Sequence, residues 1–177
     1  GLTAVPPLWI QLTQVRWSES ASRSLRYFAN TGGRMPLETL KSLRTIMPQA
    51  RPYLMYGLTE AFRATYLPPE EVDRRPDSIG KAIPNSEILV LRPDGTRVTP
   101  GETGILYVRG PHVMAGYWRQ PELTAEMLVD GPVPGERMLC THDHFTVDAD
   151  GFLYFVGRTD DIIKTRGEKV APREVED

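Results

Sequence analysis

The chain holds one cysteine, Cys140, among 177 residues. That excludes an intrachain disulfide framework and agrees with a reducing compartment, so packing must hold the fold together. Charge of one sign is equally scarce, with 21 Lys and Arg against 23 Asp and Glu. A polycationic grip on nucleic acid or on an anionic membrane is excluded, and any anionic ligand must be held by local groups. No apolar run approaches the roughly 20 residues that a membrane helix needs, and the first residues lack the basic-then-apolar plan of a signal peptide. The expectation is a cytoplasmic chain with no membrane span. No internal repeat or low-complexity tract is visible, and no Gly-Lys-Ser/Thr stretch marks a P-loop.

What is present is ordinary in bulk. Hydrophobic residues make up 40% of the chain, enough for one or two modest domains with a real core. The sequence begins at Gly1 without an initiator Met and stops after Pro172-Arg173-Glu174-Val175-Glu176, where a proline and acidic residues open a helix. It therefore reads as a fragment.

Residues Leu25 to Ala29 read as a short buried strand. Leu37, Leu40, Leu43 and Met47 keep the three-to-four spacing of a helix that Pro36 opens and Pro48 ends. Tyr53-Leu54-Met55-Tyr56 reads as a second strand, and strand, helix and strand in close succession predict a right-handed parallel crossover. Thr31-Gly32-Gly33 and Gly57-Leu58-Thr59-Glu60 then follow the carboxyl ends of parallel strands, the edge at which open α/β sheets bind ligands. Prolines and mixed charges mark Pro68 to Ser78 as a long connecting loop. Beyond it Ile88 to Leu91, Ile105 to Val108 and Phe152 to Val156 read as short strands. Turn signals at Pro93-Asp94-Gly95, Pro100-Gly101-Glu102 and Asp148-Ala149-Asp150-Gly151 separate them, and Pro121 to Met127 reads as a short helix. The expected fold class is α/β: part of a parallel α/β sheet subdomain over residues 1–78, then a small antiparallel β-barrel over residues 79–159. Residues 160–177 would begin a truncated C-terminal lobe.

Several side chains suit nucleotide chemistry, each with a plainer reading beside it. Glu60 offers a hard carboxylate of the kind Mg²⁺ takes together with phosphates, and Thr59 can donate to a phosphate oxygen. The same pair could cap a following helix. Tyr56 could lie against adenine or simply pack in the core, and Gly32-Gly33 permits close approach to a flat ring or merely a turn. His142 and His144 form an H-x-H pair that invites a metal, yet His112 is the only further histidine and no cysteine cluster accompanies them. Surface histidines are the simpler reading. Cys140 reads as a small buried apolar residue.

The run from Phe155 through Gly157-Arg158-Thr159-Asp160-Asp161 to Lys164, Gly167 and Val170 packs more charge and glycine than core packing requires. It resembles the hinge motif of the AMP-forming ligase superfamily, which includes acyl-CoA synthetases, adenylation domains of nonribosomal peptide synthetases, and luciferases. Tyr56-Gly57-Leu58-Thr59-Glu60 resembles that superfamily's central motif. Val5-Pro6-Pro7-Leu8-Trp9 is similar to its acyl-pocket segment, Thr31-Gly32-Gly33 to its adenine loop, and Gly104 to Gly110 to its small barrel.

The resemblance implies activation of a carboxylic acid by ATP to an acyl-adenylate, then transfer of the acyl group to CoA as a thioester, with ATP/AMP, Mg²⁺ and CoA as cofactors. Carried over residue by residue, Thr59 and Glu60 serve the phosphates and Mg²⁺, and Gly32, Gly33, Tyr56 and Gly57 the adenine. Asp143 and Arg158 serve the ribose, while Trp9, Gly33 and Gly57 line the acyl pocket. Asp160 is the hinge about which the C-terminal lobe rotates. Lys164, Arg166 and Gly167 belong to the part that swings inward, where Gly167 lines a pantetheine tunnel and Arg166 or Lys169 meets CoA phosphates. One departure stands out: the superfamily's Thr-Gly-Asp appears as Thr141-His142-Asp143. The superfamily's phosphate loop would lie before Gly1 and its catalytic lysine after Asp177, so turnover by this piece alone is not expected.

Amino-acid-activating relatives place an aspartate in the segment matching Thr3 to Leu12. None stands there, which favours an acid without an α-amine. The stretch from Tyr56 to Asn85 looks like the acyl-CoA ligases associated with exosortase A. Two alternatives stay open: a ligase loading an acyl or aminoacyl group onto a carrier protein, and a non-catalytic nucleotide-binding module.

Overall fold

A computed structural model describes residues 1–159 and the backbone of 163–165 and 168–170. Contacts divide the chain into two compact units, Gly1–Leu58 with Arg63–Gly80 and Thr59–Phe62 with Lys81–Asp177.

The first unit runs β1 (Leu2–Ala4), α1 (Pro6–Thr13), α2 (Glu19–Ser24), β2 (Tyr27–Asn30), α3 (Leu37–Ile46), β3 (Arg51–Leu58) and β4 (Ala61–Leu67). Its strands lie in the order β1-β2-β3-β4. The first three are parallel, with Ala4 beside Asn30 and Asn30 beside Leu54. A parallel β2-α3-β3 connection is therefore present. Its helix forms as the apolar spacing requires: Leu40, Leu43 and Met47 are all buried, Pro36 fixes the entry, and Pro48 follows at once. Each such side chain, fully buried, contributes about 1.5–3 kcal/mol.

Two helices lay outside the sequence expectation. α1 opens on Pro6 and Pro7 and buries only Trp9, while α2 buries nothing and is started by the Ser18 hydroxyl accepting from the Ala21 amide. Neither carries the apolar stripe that periodicity detects. Trp9 is fully buried, stacked edge-on against Phe28 at 5.5 Å, and donates from Nε1 to the Ala4 carbonyl at 3.1 Å.

The helix-capping alternative for Thr59 and Glu60 is corrected. They are the two-residue turn between β3 and β4, neighbouring strands of one sheet. A chain that reverses in two residues pairs with itself and leaves no helix there to cap. The connecting segment from Pro68 to Ser78 carries a short 3₁₀ turn, Pro69–Glu71, and buries Val72. It also sends Asp73 to Arg44 and Glu70 to Arg51.

The second unit holds β5 (Lys81–Ala82), β6 (Glu87–Leu91), β7 (Thr103–Arg109), α4 (Pro121–Met127), β8 (Leu128–Asp130), β9 (Arg137–Val147), β10 (Leu153–Arg158), β11 (Ile163–Thr165) and β12 (Glu168–Val170). The order β10-β9-β7-β6, with β8 also on β9, makes an antiparallel half-barrel sheet. β11 and β12 pair separately. Leu106, Val108, Leu139 and Phe145 are fully buried within this unit, and Phe145 meets Phe155 edge-on at 5.5 Å.

β9 is the longest of the strands that the sequence reading did not name. Its 11 residues include His142 at φ +57°, and the register with β7 shifts between Ile105 and Tyr107. A left-handed residue inside a strand makes a bulge that breaks simple alternation. No described helix is long and apolar enough to cross a membrane.

Candidate active site

In the first unit the parallel register brings the ends of β1, β2 and β3 to one edge, and the glycine loop follows there directly. Thr31 donates its amide to Ala4 at 3.2 Å, and Asn30 donates from Nδ2 to the Gly33 carbonyl at 2.7 Å. Gly32 has φ +72°, and a Cβ there would lie 3.1 Å from Val5 Cγ1. The loop thus sits tightly on the start of α1 and needs its glycine. Asn30 is 2% exposed, and its Oδ1 has no hydrogen-bond partner among the described residues. Tyr56 and Gly57 are half-buried near the end of β3, on the edge that carries the Thr31-Gly32-Gly33 loop. Trp9, expected in the acyl pocket, lies inside this unit's core.

In the second unit the turn Thr59-Glu60 is tied to the segment after β7. Ala61 bridges Val113, the Met114 amide donates to the Glu60 carbonyl at 2.7 Å, and the Tyr117 hydroxyl donates to Glu60 Oε1. This bond is the first cause that pushes the Tyr117 hydroxyl up to about 12, with burial adding to it. The other oxygen of Glu60 has no partner among the described residues. Thr59 is exposed beside it.

The same unit pairs Asp143 with Arg158. They are register partners on β9 and β10, and Arg158 Nε lies 3.3 Å from Asp143 Oδ1. Asp143 is buried, whereas the Arg158 side chain is 60% exposed. The Asp143 amide donates to Thr141 Oγ1, which itself donates to the Leu106 carbonyl at 2.8 Å. The departure at His142 falls where the backbone is left-handed, a conformation glycine adopts freely. Its carbonyl accepts from both the amide and the hydroxyl of Thr159, at 2.9 and 2.7 Å.

The two histidines go to different neighbours. His142 Nδ1 faces Cys140 Sγ at 3.9 Å, and His144 Nε2 faces the Thr159 hydroxyl at 3.3 Å. Among the described residues no group of three or more His, Cys, Asp or Glu is placed to hold a metal ion. Mg²⁺ commonly takes one or two protein carboxylates and leaves its other positions to phosphates and water. The partnerless oxygen of Glu60 fits such a ligand. Cys140 is buried, as expected of a small apolar residue.

Asp160, Arg166 and Gly167 lie outside the described residues, and Lys164 is described only as backbone in β11, opposite Lys169. Two surface cavities, about 380 and 480 Å³, contain none of the expected site residues. Sequence reasoning missed Tyr117 and Asn30. Tyr117 stands 57 residues from Glu60, and a tyrosine after a glycine in a loop carries no local signal of that contact.

A family profile described as AMP-binding enzyme matches residues 1–118. The chain belongs to the AMP-binding enzyme family. It is 38% identical over 150 residues to the long-chain-fatty-acid–CoA ligase of Salmonella typhimurium, covering 84% of this chain and 26% of that protein. It is 40% identical over 128 residues to surfactin synthase subunit 2 of Bacillus subtilis, covering 68% of this chain and 4% of the relative. The O-succinylbenzoate CoA synthetase of Bacillus subtilis, solved with ATP and magnesium ion, superposes with a TM-score of 0.82 at 31% identity. That match covers 99% of this chain and 35% of the other. The AMP-binding chain therefore spans about a quarter to a third of those two CoA-ligase relatives.

Proposed function

We propose that this AMP-binding chain serves a ligase that activates a carboxylic acid with ATP and passes the acyl group to CoA. A carboxylate oxygen attacks the α-phosphorus, the bond to pyrophosphate breaks, and the acyl-adenylate forms. A thiol then attacks the acyl carbon, and AMP leaves with the bridging oxygen. The observation that supports this reading most is the Asp143–Arg158 pair, in which two residues assigned separately to the ribose are cross-strand neighbours.

In this reading the Asp143 carboxylate accepts from the ribose hydroxyls and Arg158 reaches the same sugar. Gly32, Gly33, Tyr56 and Gly57 serve the adenine, and Thr59 donates to the α-phosphate. Glu60 would hold Mg²⁺, which when bound neutralises phosphate charge. Trp9, Gly33 and Gly57 shape the acyl end, Asp160 serves as the hinge, and Lys164 and Gly167 belong to the acceptor side.

The absence of any acid from Gly1 to Leu12 favours a substrate without an α-amine. A carrier-protein acceptor is the second reading, and the likeness to surfactin synthase subunit 2 favours it. The test is ATP–pyrophosphate exchange by the full-length protein across a panel of fatty, aryl and amino acids. Active acids are then offered with free CoA and with a phosphopantetheinyl carrier protein. Exchange stimulated by a non-amino acid, followed by CoA thioester, supports the reading. Exchange with no acid would leave a non-catalytic nucleotide-binding module.

A further inference from the structure

Between β7 and α4 the chain meets the tip of the β3–β4 hairpin, and among the described residues a backbone bridge and two hydrogen bonds fasten it there. The Ala61–Val113 bridge and the Met114-to-Glu60 amide bond join backbone to backbone. They would form whatever side chain stood at position 60. Among the described residues only the Tyr117 hydroxyl addresses the carboxylate itself, through Oε1.

Tyr117 is in turn held from behind. Its amide donates to Thr124 Oγ1 at 2.9 Å, and that hydroxyl donates to the Gln120 carbonyl at 2.8 Å. Gly116 sits so close to Thr124 that a Cβ there would lie 2.8 Å from Thr124 Cγ2. The phenol is thus anchored at its backbone and at its hydroxyl. A carboxylate with one oxygen so engaged keeps one oxygen for a cation.

We propose that Tyr117 is a positioning residue that occupies Glu60 Oε1 and so presents the carboxylate to Mg²⁺ through Oε2 alone, with Thr124 holding Tyr117 in place. The inference rests on the reading of Glu60 as the Mg²⁺ ligand. Its consequence is selectivity: Mg²⁺ demands near-octahedral geometry with single oxygens, whereas Ca²⁺ accepts bidentate carboxylates in looser shells. Releasing Oε1 therefore harms Mg²⁺ binding more than Ca²⁺ binding.

The experiment measures Mg²⁺ and Ca²⁺ affinity by competition against Mn²⁺, followed by electron paramagnetic resonance. It uses the full-length protein with ATP and no acid substrate. Tyr117→Phe is expected to weaken Mg²⁺ about tenfold and Ca²⁺ by no more than about threefold, the range seen when a ligand's supporting hydrogen bond is lost. ATP binding in EDTA is expected to stay unchanged. Thr124→Val is expected to shift Mg²⁺ the same way by a smaller factor.

Equal losses for both metals, or Mg²⁺ affinities unchanged in both variants while Glu60→Gln loses the metal, would overturn the positioning role and leave Glu60 as ligand. Unchanged affinity in Glu60→Gln as well would remove the Glu60 reading and this inference with it. If circular dichroism shows Tyr117→Phe unfolded, Thr124→Val decides alone: a loss selective for Mg²⁺ supports the proposal, and any other result overturns it.

Discussion

Arg158 and Asp143 face each other across β10 and β9, with Nε 3.3 Å from Oδ1, one side chain 60% exposed and the other 11%. An ion pair with so wet a partner contributes little to stability, about 0–1 kcal/mol. Fold stability therefore gives little account of the pair.

Asp143→Asn keeps the shape and removes the charge. It is expected to weaken AMP or ATP binding about tenfold or more, because a charge-assisted acceptor becomes a neutral one. Stability should change by less than about 1 kcal/mol. Calorimetric titration and urea unfolding of the same preparation check the split, and an equal loss in both would make Asp143 structural.

His142 carries φ +57° where glycine would be unstrained. His142→Gly is expected to stabilise the protein by about 1 kcal/mol, the order of the left-handed penalty for a residue with a Cβ. The bonds from Thr159 go to the His142 carbonyl and survive the change. Urea midpoints measure it, and a destabilised variant would show that the imidazole contact with Cys140 matters more.

Trp9 has no exposed surface. Trp9→Ala is expected to cost about 3–5 kcal/mol, as large-to-small changes at packed aromatics do. That is a large part of the stability of an ordinary domain. Thermal unfolding checks it, and a loss below about 1 kcal/mol would mean that the site is not packed as described.

Tyr107 is half-buried in β7, and burial first, then its contact with Cys140, pushes its hydroxyl up to about 12. A phenol that ionises less readily when folded supports the fold below the unfolded value near 10 and loses that support as pH rises through about 12. Ultraviolet phenolate titration of Tyr107→Phe should lack one late-titrating group. Loss of a group that titrates near 10 instead would place Tyr107 in solvent.

The β2-α3-β3 crossover was legible because Leu40, Leu43 and Met47 repeat at helical spacing between two apolar runs. β6, β7 and β10 were legible because Gly and Pro turns bracket them. β4 was not: Ala61-Phe62-Arg63-Ala64-Thr65-Tyr66-Leu67 alternates poorly, and Thr59-Glu60 lacks the Asn-Gly signature of a tight turn. β9 was hidden by Thr141-His142-Asp143-His144, polar residues where a left-handed bulge relieves the need for alternation. Asp143 and Arg158 were found through resemblance, since neither carries a local signal of its own. The Tyr117–Glu60 bond joins residues too far apart in sequence for any local pattern to announce it.

The most direct measurement gives the full-length protein a carboxylic acid labelled with oxygen-18 in its carboxyl group, together with ATP, Mg²⁺ and the thiol acceptor, and weighs the AMP produced. Attack of the carboxylate on the α-phosphorus leaves one labelled oxygen in each AMP, and that is the expected result. Unlabelled AMP, or ADP in its place, would contradict acyl-adenylate chemistry in the protein that carries this chain.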